Sequence, residues 1–311
     1  MPSDGKDTRK TANVKRKERN KVNNRLYKGQ TDKDEFSLFR GYINDICGIA
    51  IPPEKDYLIE TRLTKLMLDA GVETFDRFYE YLVSNNDIHL RQKIINAITT
   101  NETLWFRDTM PWKVLENIYL PKLIKALISG EKKRVRIWCA AVSTGQEVYS
   151  TVMCVEDYLR KNKIQGISLS DFEFFATDIS NRVLDIAKKG IYDKISIMRG
   201  LSEEQRTGYF KENNSAWFIN PKIRSSVTFR QLNLKDSYRM LGIFDIIFCR
   251  YVLIYFSQEL KREIISKMCG SLADDGILFT GNYVLYDLFE QDFDINHYEK
   301  STYYSKRAVL I

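Results

Sequence analysis

Histidine is scarce in this chain: only His89 and His297 occur, each alone among polar neighbours. A histidine-based catalytic triad or metal site is therefore not expected. Five cysteines (Cys47, Cys139, Cys154, Cys249, Cys269) lie inside apolar segments, with no CxxC or CxxxCxxC spacing to hold zinc or an iron–sulfur cluster. They read as buried free thiols in a reducing compartment, and no metal is expected. No apolar run approaches the roughly 18 residues of a membrane span, and the N-terminus carries no apolar signal core, so a soluble, unexported, cytoplasmic protein is expected.

Net charge is also lacking over most of the chain. Residues 1–33 hold 11 Lys/Arg against 4 Asp/Glu, and residues 34–311 hold 37 of each sign, so the whole formal charge of +7 belongs to the N-terminal stretch. That stretch (KRKERNKVNNRLYKGQ) has few apolar residues and no periodicity and is read as a disordered basic tail. Such a tail can meet nucleic acid or an acidic membrane surface, or be a solvated extension.

What is present is organised around RVRIWCAAVSTGQEVYS (134–150) and Asp178 of FFATDIS. An apolar run (Val135, Ile137, Trp138, Cys139) stops at a small-residue turn, 140–145, and a helix-compatible segment follows from Glu147. Strand, small-residue turn, helix, and a second strand ending in an acid form the pattern of a nucleotide half-site. The turn has one glycine where the dinucleotide fingerprint has three, and an ordinary βαβ crossover would show the same residues.

Residues 34–98 carry helical periods at 36–47, 56–70, 75–83 and 88–98. In the second, Ile59, Leu63, Leu66, Met67 and Ala70 form a stripe to be buried, which leaves Arg62, Lys65 and Asp69 on another face. A polar and aromatic junction, TTNETLWFRD, precedes a helix predicted from Pro111 to residue 128. From residue 134 strands and helices alternate: strands at 134–141, 172–178, 227–234, 244–251 and 276–281, helices at 147–161, 180–188 and 258–272, and a last extended run at 302–310. This alternation predicts an α/β fold with a doubly wound, mainly parallel sheet that binds ligands at the carboxyl ends of its strands. Between 190 and 224 lies an insert with a short helix (202–210) and an Asn-rich hairpin-like piece, read as too polar to be core.

The motifs NETLWFRD, RVRIWCAAVSTGQEVYS, ATDIS, GIYD, FRQLNL, FDIIFCRYVLIYF and GILFTG follow one another in the order and character of the chemotaxis receptor methyltransferases, the CheR family. The chain resembles that family from about Phe36 to its C-terminus. The resemblance implies a small all-helical N-terminal domain with the junction (34–108), then a Rossmann-like S-adenosylmethionine-dependent methyltransferase domain (109–311) with an inserted small β-subdomain (191–226). It implies methylation of glutamate side chains on the cytoplasmic helical bundle of chemoreceptors (methyl-accepting chemotaxis proteins), giving glutamate methyl esters and S-adenosylhomocysteine. By match to the family's motifs, Asn101, Thr103 and Arg107 line the cofactor and methyl-transfer site. Glu147 meets the methionine amino group, and Asp178 meets the ribose. Asn233, Leu234, Tyr251 and Val252 flank the adenosine, Tyr255 lies near the transferred methyl, and Arg62 and Lys65 belong to a basic outward face that meets acidic receptor helices. A monomer is expected, touching the membrane only through its receptor, with nucleic acid not expected as a partner.

Two departures stand out. The family pattern has Asn where this chain has Tyr251, and a GHSE-like stretch where it has GNYV (281–284). The first bears on a cofactor contact and the second on a loop at the rim of the site. The segment 211–221 is shorter than the subdomain loop of members that dock on a receptor tether, so tether-independent recognition is expected. A nucleic-acid methyltransferase using the basic tail and a non-catalytic cofactor-binding scaffold are the alternatives; the first leaves NETLWFRD unexplained and lacks the proline-rich amide-holding motif of N-methylating enzymes.

Overall fold

A computed structural model describes residues 33–281, 286–289 and 292–307. Residues 1–32 of the basic tail and 282–284 of the rim stretch lie outside the described residues. The chain opens with four helices, α1 (Lys33–Cys47), α2 (Tyr57–Asp69), α3 (Phe75–Asn85) and α4 (Ile88–Ile98). Thr74 and Asp87 start α3 and α4 by accepting from backbone N–H groups one turn in, which satisfies donors a helix start leaves unpaired. Ile59, Leu63 and Met67 are buried in a core of their own with Phe39, Phe75 and Phe78, while Leu66 and Ala70 pack at its edge.

The helix expected from Pro111 is broken into α5 (Met110–Val114), a π turn (Leu115–Tyr119) and α6 (Leu120–Ile128). Pro121 has no N–H for the carbonyl one turn back, which accounts for the altered winding before it. Then follow β1 (Val135–Ala140), α7 (Gln146–Lys161), β2 (Phe172–Asp178), α8 (Asn181–Lys189), β3 (Ile191–Asp193), α9 (Lys194–Ile197), α10 (Glu203–Tyr209), β4 (Phe210–Asn213), β5 (Ala216–Ile219), α11 (Pro221–Ser225), β6 (Val227–Gln231), β7 (Phe244–Phe248), α12 (Gln258–Cys269), β8 (Leu272–Phe279), α13 (Tyr286–Phe289), β9 (Phe293–Tyr298) and β10 (Ser301–Lys306).

The main sheet has the order β6-β2-β1-β7-β8-β10-β9. Pairings from β6 to β8 are parallel, and β10 and β9 join antiparallel at one edge. Both faces are covered, so its central strands are nearly continuous apolar runs. Alternate residues feed two cores: Ile137, Phe174, Phe248 and Phe279 on one face, Trp138, Phe175, Ile247 and Leu278 on the other.

Several expectations are corrected. The insert is not too polar to be core: it forms a small antiparallel sheet, β3-β5-β4, and Tyr192, Phe210 and Ile219 are buried in the main core. Trp105 of the junction packs edge-on between Tyr192 and Phe210, at 4.9 and 5.1 Å, and its indole N–H donates to the Ser196 carbonyl. Strand β8 begins at Leu272, because Asp274 and Asp275 are strand residues ion-paired to Lys306 and to Lys122 and Lys132. Strand β9 was not anticipated; its polar alternation FDINHY hides an edge strand that only β10 covers. Strands β6 and β7 are shorter than expected, so Asn233, Leu234 and Tyr251 lie in loops beyond their ends.

Candidate active site

A cleft of about 540 Å³ opens at the carboxyl edge of β1, β2 and β7, where an open α/β sheet places its ligand. Its other wall comes from the helical unit, through Cys47, Ile49–Pro52, Leu58, Arg62 and residues 98–102. The halves are tied together at this point. The Ala50 N–H donates to the Tyr255 carbonyl at 2.8 Å, the Asn233 amide donates to the Ile46 carbonyl at 3.0 Å, and Lys235 Nζ donates to the carbonyls of Asn44 and Asp45 at 2.8 Å each. A lysine on the last carbonyls of α1 also complements the negative end of the helix.

At the end of β2, Asp178 is buried at the cleft wall, with Oδ2 accepting from the Ser143 N–H at 2.8 Å and Oδ1 from the Ser180 N–H at 2.9 Å. Burial pushes its carboxyl upward, and the two N–H bonds oppose that shift. Each oxygen keeps a second lone pair, enough for a ligand hydroxyl. The β1 turn is made by left-handed backbone at Ala141, Ser143 and Gly145, and Ala141 and Ser143 line the cleft. Gly145 does something other than admit a ligand: a Cβ there would press on Ala187, Tyr149 and Tyr192, so its small size serves the packing of α7 on α8 and the insert.

Behind the cleft lies a network that sequence reasoning missed. Arg250, its side chain 1% exposed, donates from Nη1 to Glu147 Oε2 at 2.9 Å and from Nη2 to Asp108 Oδ2 at 2.6 Å. It also holds the Arg107 carbonyl at 2.8 Å. Its Nε is buried with no hydrogen-bond partner. The signal was an arginine directly after the apolar run FDIIFC, where an unpaired charge would be very costly. Burial pushes the Glu147 carboxyl upward, and the Arg250 guanidinium pulls it back.

Tyr251 sits at φ +60, left-handed backbone in which asparagine is at ease and a bulky residue is not. Its ring lies against Gly281, where a Cβ would come within 3.0 Å of it. The Arg107 guanidinium carbon lies 3.6 Å from the ring centroid, and the phenol donates to Asp108 Oδ2.

The cleft wall thus brings together Asn101, Arg107, Asp178, Asn233, Leu234, Tyr251, Val252 and Tyr255. Three expectations differ. Glu147 does not line the cleft, since Arg250 stands in front of its carboxylate, and Thr103 lies off the wall, half-buried. Arg62 is not on the outward face: it lines the cleft and donates to the Ile98 carbonyl and, at 3.3 Å, to Thr100 Oγ1. Lys65 is exposed. While the charge of Arg250 is taken up by Glu147 and Asp108, Lys55, Arg62 and Arg107 line the cleft with Glu102 and Asp178. Cys47 lines it too, but burial pushes its thiol up to about 11, leaving it protonated near neutrality. Among the described residues no group of His, Cys, Asp or Glu is arranged to hold a metal ion, and no helix is long and apolar enough to cross a membrane.

A parallel sheet closed at one edge by an antiparallel hairpin, with its cleft at the carboxyl ends of the strands, is the fold of the S-adenosylmethionine-dependent methyltransferases. The description "CheR methyltransferase, SAM binding domain" matches residues 101–298, and "CheR methyltransferase, all-alpha domain" matches residues 34–99. The chain belongs to the CheR methyltransferase family, and S-adenosylmethionine is its cofactor. Chemotaxis protein methyltransferase 1 of Pseudomonas aeruginosa is 44% identical over 248 residues, covering 79% of this chain and 88% of that protein. Chemotaxis protein methyltransferase Cher2 of Pseudomonas putida is 41% identical over 248 residues, with the same coverage. A chemotaxis protein methyltransferase of Borreliella burgdorferi is 32% identical over 253 residues, 80% of this chain and 87% of that protein.

The residues present fit this cofactor. The volume is that of a small-molecule site, Asp178 keeps lone pairs free for ribose hydroxyls, and the unpartnered Nε of Arg250 is a buried donor that the ligand's carboxylate end would satisfy.

Proposed function

We propose that this chain methylates glutamate side chains of chemoreceptors, on their cytoplasmic helical region, forming methyl esters. The observation that carries this reading is the Arg107 guanidinium at the cleft wall, hydrogen-bonded among the described residues only to the Glu102 carbonyl at 3.4 Å, with no histidine among the lining residues. A glutamate carboxylate has a reference pKa of about 4.3, so at neutral pH it is already the anion and needs no general base. S-adenosylmethionine supplies the electrophilic methyl. The protein's task is to hold the carboxylate in line and to exclude water. Arg107 aligns the carboxylate through its planar fork, and a grip too tight would blunt the nucleophile. Tyr255 borders the reacting carboxylate, and Leu234 and Val252 give the adenosine an apolar seat. Asp178 takes the ribose hydroxyls. Asn101 completes that pocket, whereas Glu147 acts through Arg250 and Thr103 supports the junction. Arg62 and Lys65 meet acids flanking the target glutamate. The protein acts as a monomer in the cytoplasm and reaches the membrane only through its receptor. Its two domains comprise residues 34–108 and 109–311.

The test is transfer of radiolabelled methyl to receptor fragments and, in parallel, to RNA. Base-labile label on the receptor alone is expected, and Arg107→Ala should remove most of it in a protein that still folds, with Arg107→Lys recovering only part. Base-stable label, or label on RNA, would sink the proposal.

A further inference from the structure

We propose that Tyr251 is a positioning residue for Arg107, a role that rests on the glutamate methylation proposed above. The Arg107 guanidinium carbon lies over the Tyr251 ring, 3.6 Å from its centroid, a distance at which an edge-on approach would drive its nitrogens into the ring carbons, so the planar group has to face the ring. Its hydrogen bonding is slight: Nη1 reaches the Glu102 carbonyl at 3.4 Å. A stack engages the face of the guanidinium and leaves its in-plane N–H donors along the edge for a carboxylate. A short ion pair would instead consume those donors. Tyr251 therefore fixes the plane of Arg107 without competing for the hydrogens that the substrate needs.

The ring is itself held in place. Its phenol donates to Asp108 Oδ2, the same oxygen that takes Arg250 Nη2 at 2.6 Å. Gly281 leaves the space in which the ring lies, with a Cβ there only 3.0 Å from it. The Tyr251 N–H donates to the Thr280 carbonyl at 3.3 Å and fixes the left-handed backbone. The loop that carries Arg107 needs such support, since Phe106, Asp108 and Thr109 all have positive φ. Glu147, Arg250, Asp108, Tyr251 and Arg107 thus form one continuous chain of contacts from α7 to the cleft wall. The asparagine of the family pattern would suit this backbone but has no ring to offer, so the departure at 251 supplies a platform for the arginine.

A double-mutant cycle reads this directly. The catalytic efficiency kcat/KM on a receptor fragment is compared for wild type, Tyr251→Leu, Arg107→Ala and the double variant, with Tyr251→Phe alongside. Calorimetry with S-adenosylhomocysteine and thermal melting check that each protein binds and folds. Tyr251→Leu should lose roughly tenfold on its own and less than about twofold when Arg107 is already alanine. Tyr251→Phe, which keeps the ring, should stay within about threefold of wild type. Equal losses from Tyr251→Leu in both backgrounds, or a Tyr251→Phe loss as large as that of leucine, would overturn the proposal. A second readout needs no substrate. The Arg107 side-chain N–H resonance should be shifted upfield by the ring in wild type and in Tyr251→Phe and should return to its ordinary position in Tyr251→Leu. An unshifted wild-type resonance overturns the positioning role. A shifted resonance in a wild-type protein that makes no methyl ester overturns the methylation reading instead.

Discussion

Replacing Arg250 by methionine keeps bulk and apolar contact but removes the charge facing two acids. Glu147 is 13% exposed in its side chain and Asp108 21%, against 1% for the arginine between them. Glu147 then becomes a buried carboxylate without a counter-charge, and breaking one side of such a pair costs about 3–5 kcal/mol. The loss must depend on pH. Burial already holds the folded-state pKa of Glu147 above its ordinary value, with Arg250 opposing, so removing the guanidinium raises it further. For an acid with a raised folded pKa the native state holds the proton more tightly. The native state is thus favoured fully below the unfolded value of about 4.3 and progressively less as pH rises through the folded value. Arg250→Met should therefore be close to wild type in mild acid and destabilised at pH 8, by about 10 °C in melting midpoint if about 4 kcal/mol is lost. Arg250→Met with Glu147→Gln removes both charges and should recover most of that loss and flatten the pH dependence. Thermal melts of the three proteins across this pH range decide it. Equal destabilisation at pH 5 and pH 8, or no recovery in the double variant, would show that the pair is not what Arg250 contributes.

Asp178→Asn puts an amide where both carboxylate oxygens accept backbone N–H bonds, so calorimetry should show S-adenosylhomocysteine binding weakened by at least about tenfold. Gly200→Ala should cost about 1–3 kcal/mol, because φ is +108 and the new Cβ would run into the Trp105 carbonyl; a melting midpoint equal to wild type would contradict this. Deleting residues 1–33 should leave turnover at saturating receptor unchanged and slow association at low salt, with the difference fading as salt rises, since the formal net charge of +7 resides in those residues. Stopped-flow association at two ionic strengths measures it.

Much of the architecture was legible because its signals are local. The helical stripe Ile59, Leu63, Met67 and the apolar runs of β1, β2 and β7 follow from which faces meet a core. What was illegible depends on partners distant in sequence. The polar insert enters the core only because Trp105, some 90 residues before Ser196, docks between Tyr192 and Phe210. Strand β9 looks like a loop until β10 pairs with it. At the site, motif position was enough to put Asp178 and Arg107 on the cleft wall, whereas the place of Arg250 required knowing that Glu147 and Asp108 converge on it. Arg62 was misplaced because a helical wheel shows which residues are polar but not that the end of α4 would lie within reach of its guanidinium.

The cleft has no complete wall in either half of the molecule; the bonds from Asn233, Lys235 and Ala50 close it. A ligand that touches both walls therefore stabilises the seating of the helical unit. A ligand at a hundred times its Kd adds about 2.7 kcal/mol to the state that binds it, and here that state is the docked one. The helical unit is thus a side of the cofactor's container as well as the carrier of Arg62 and Lys65, and whatever fills the cleft helps to hold it in place.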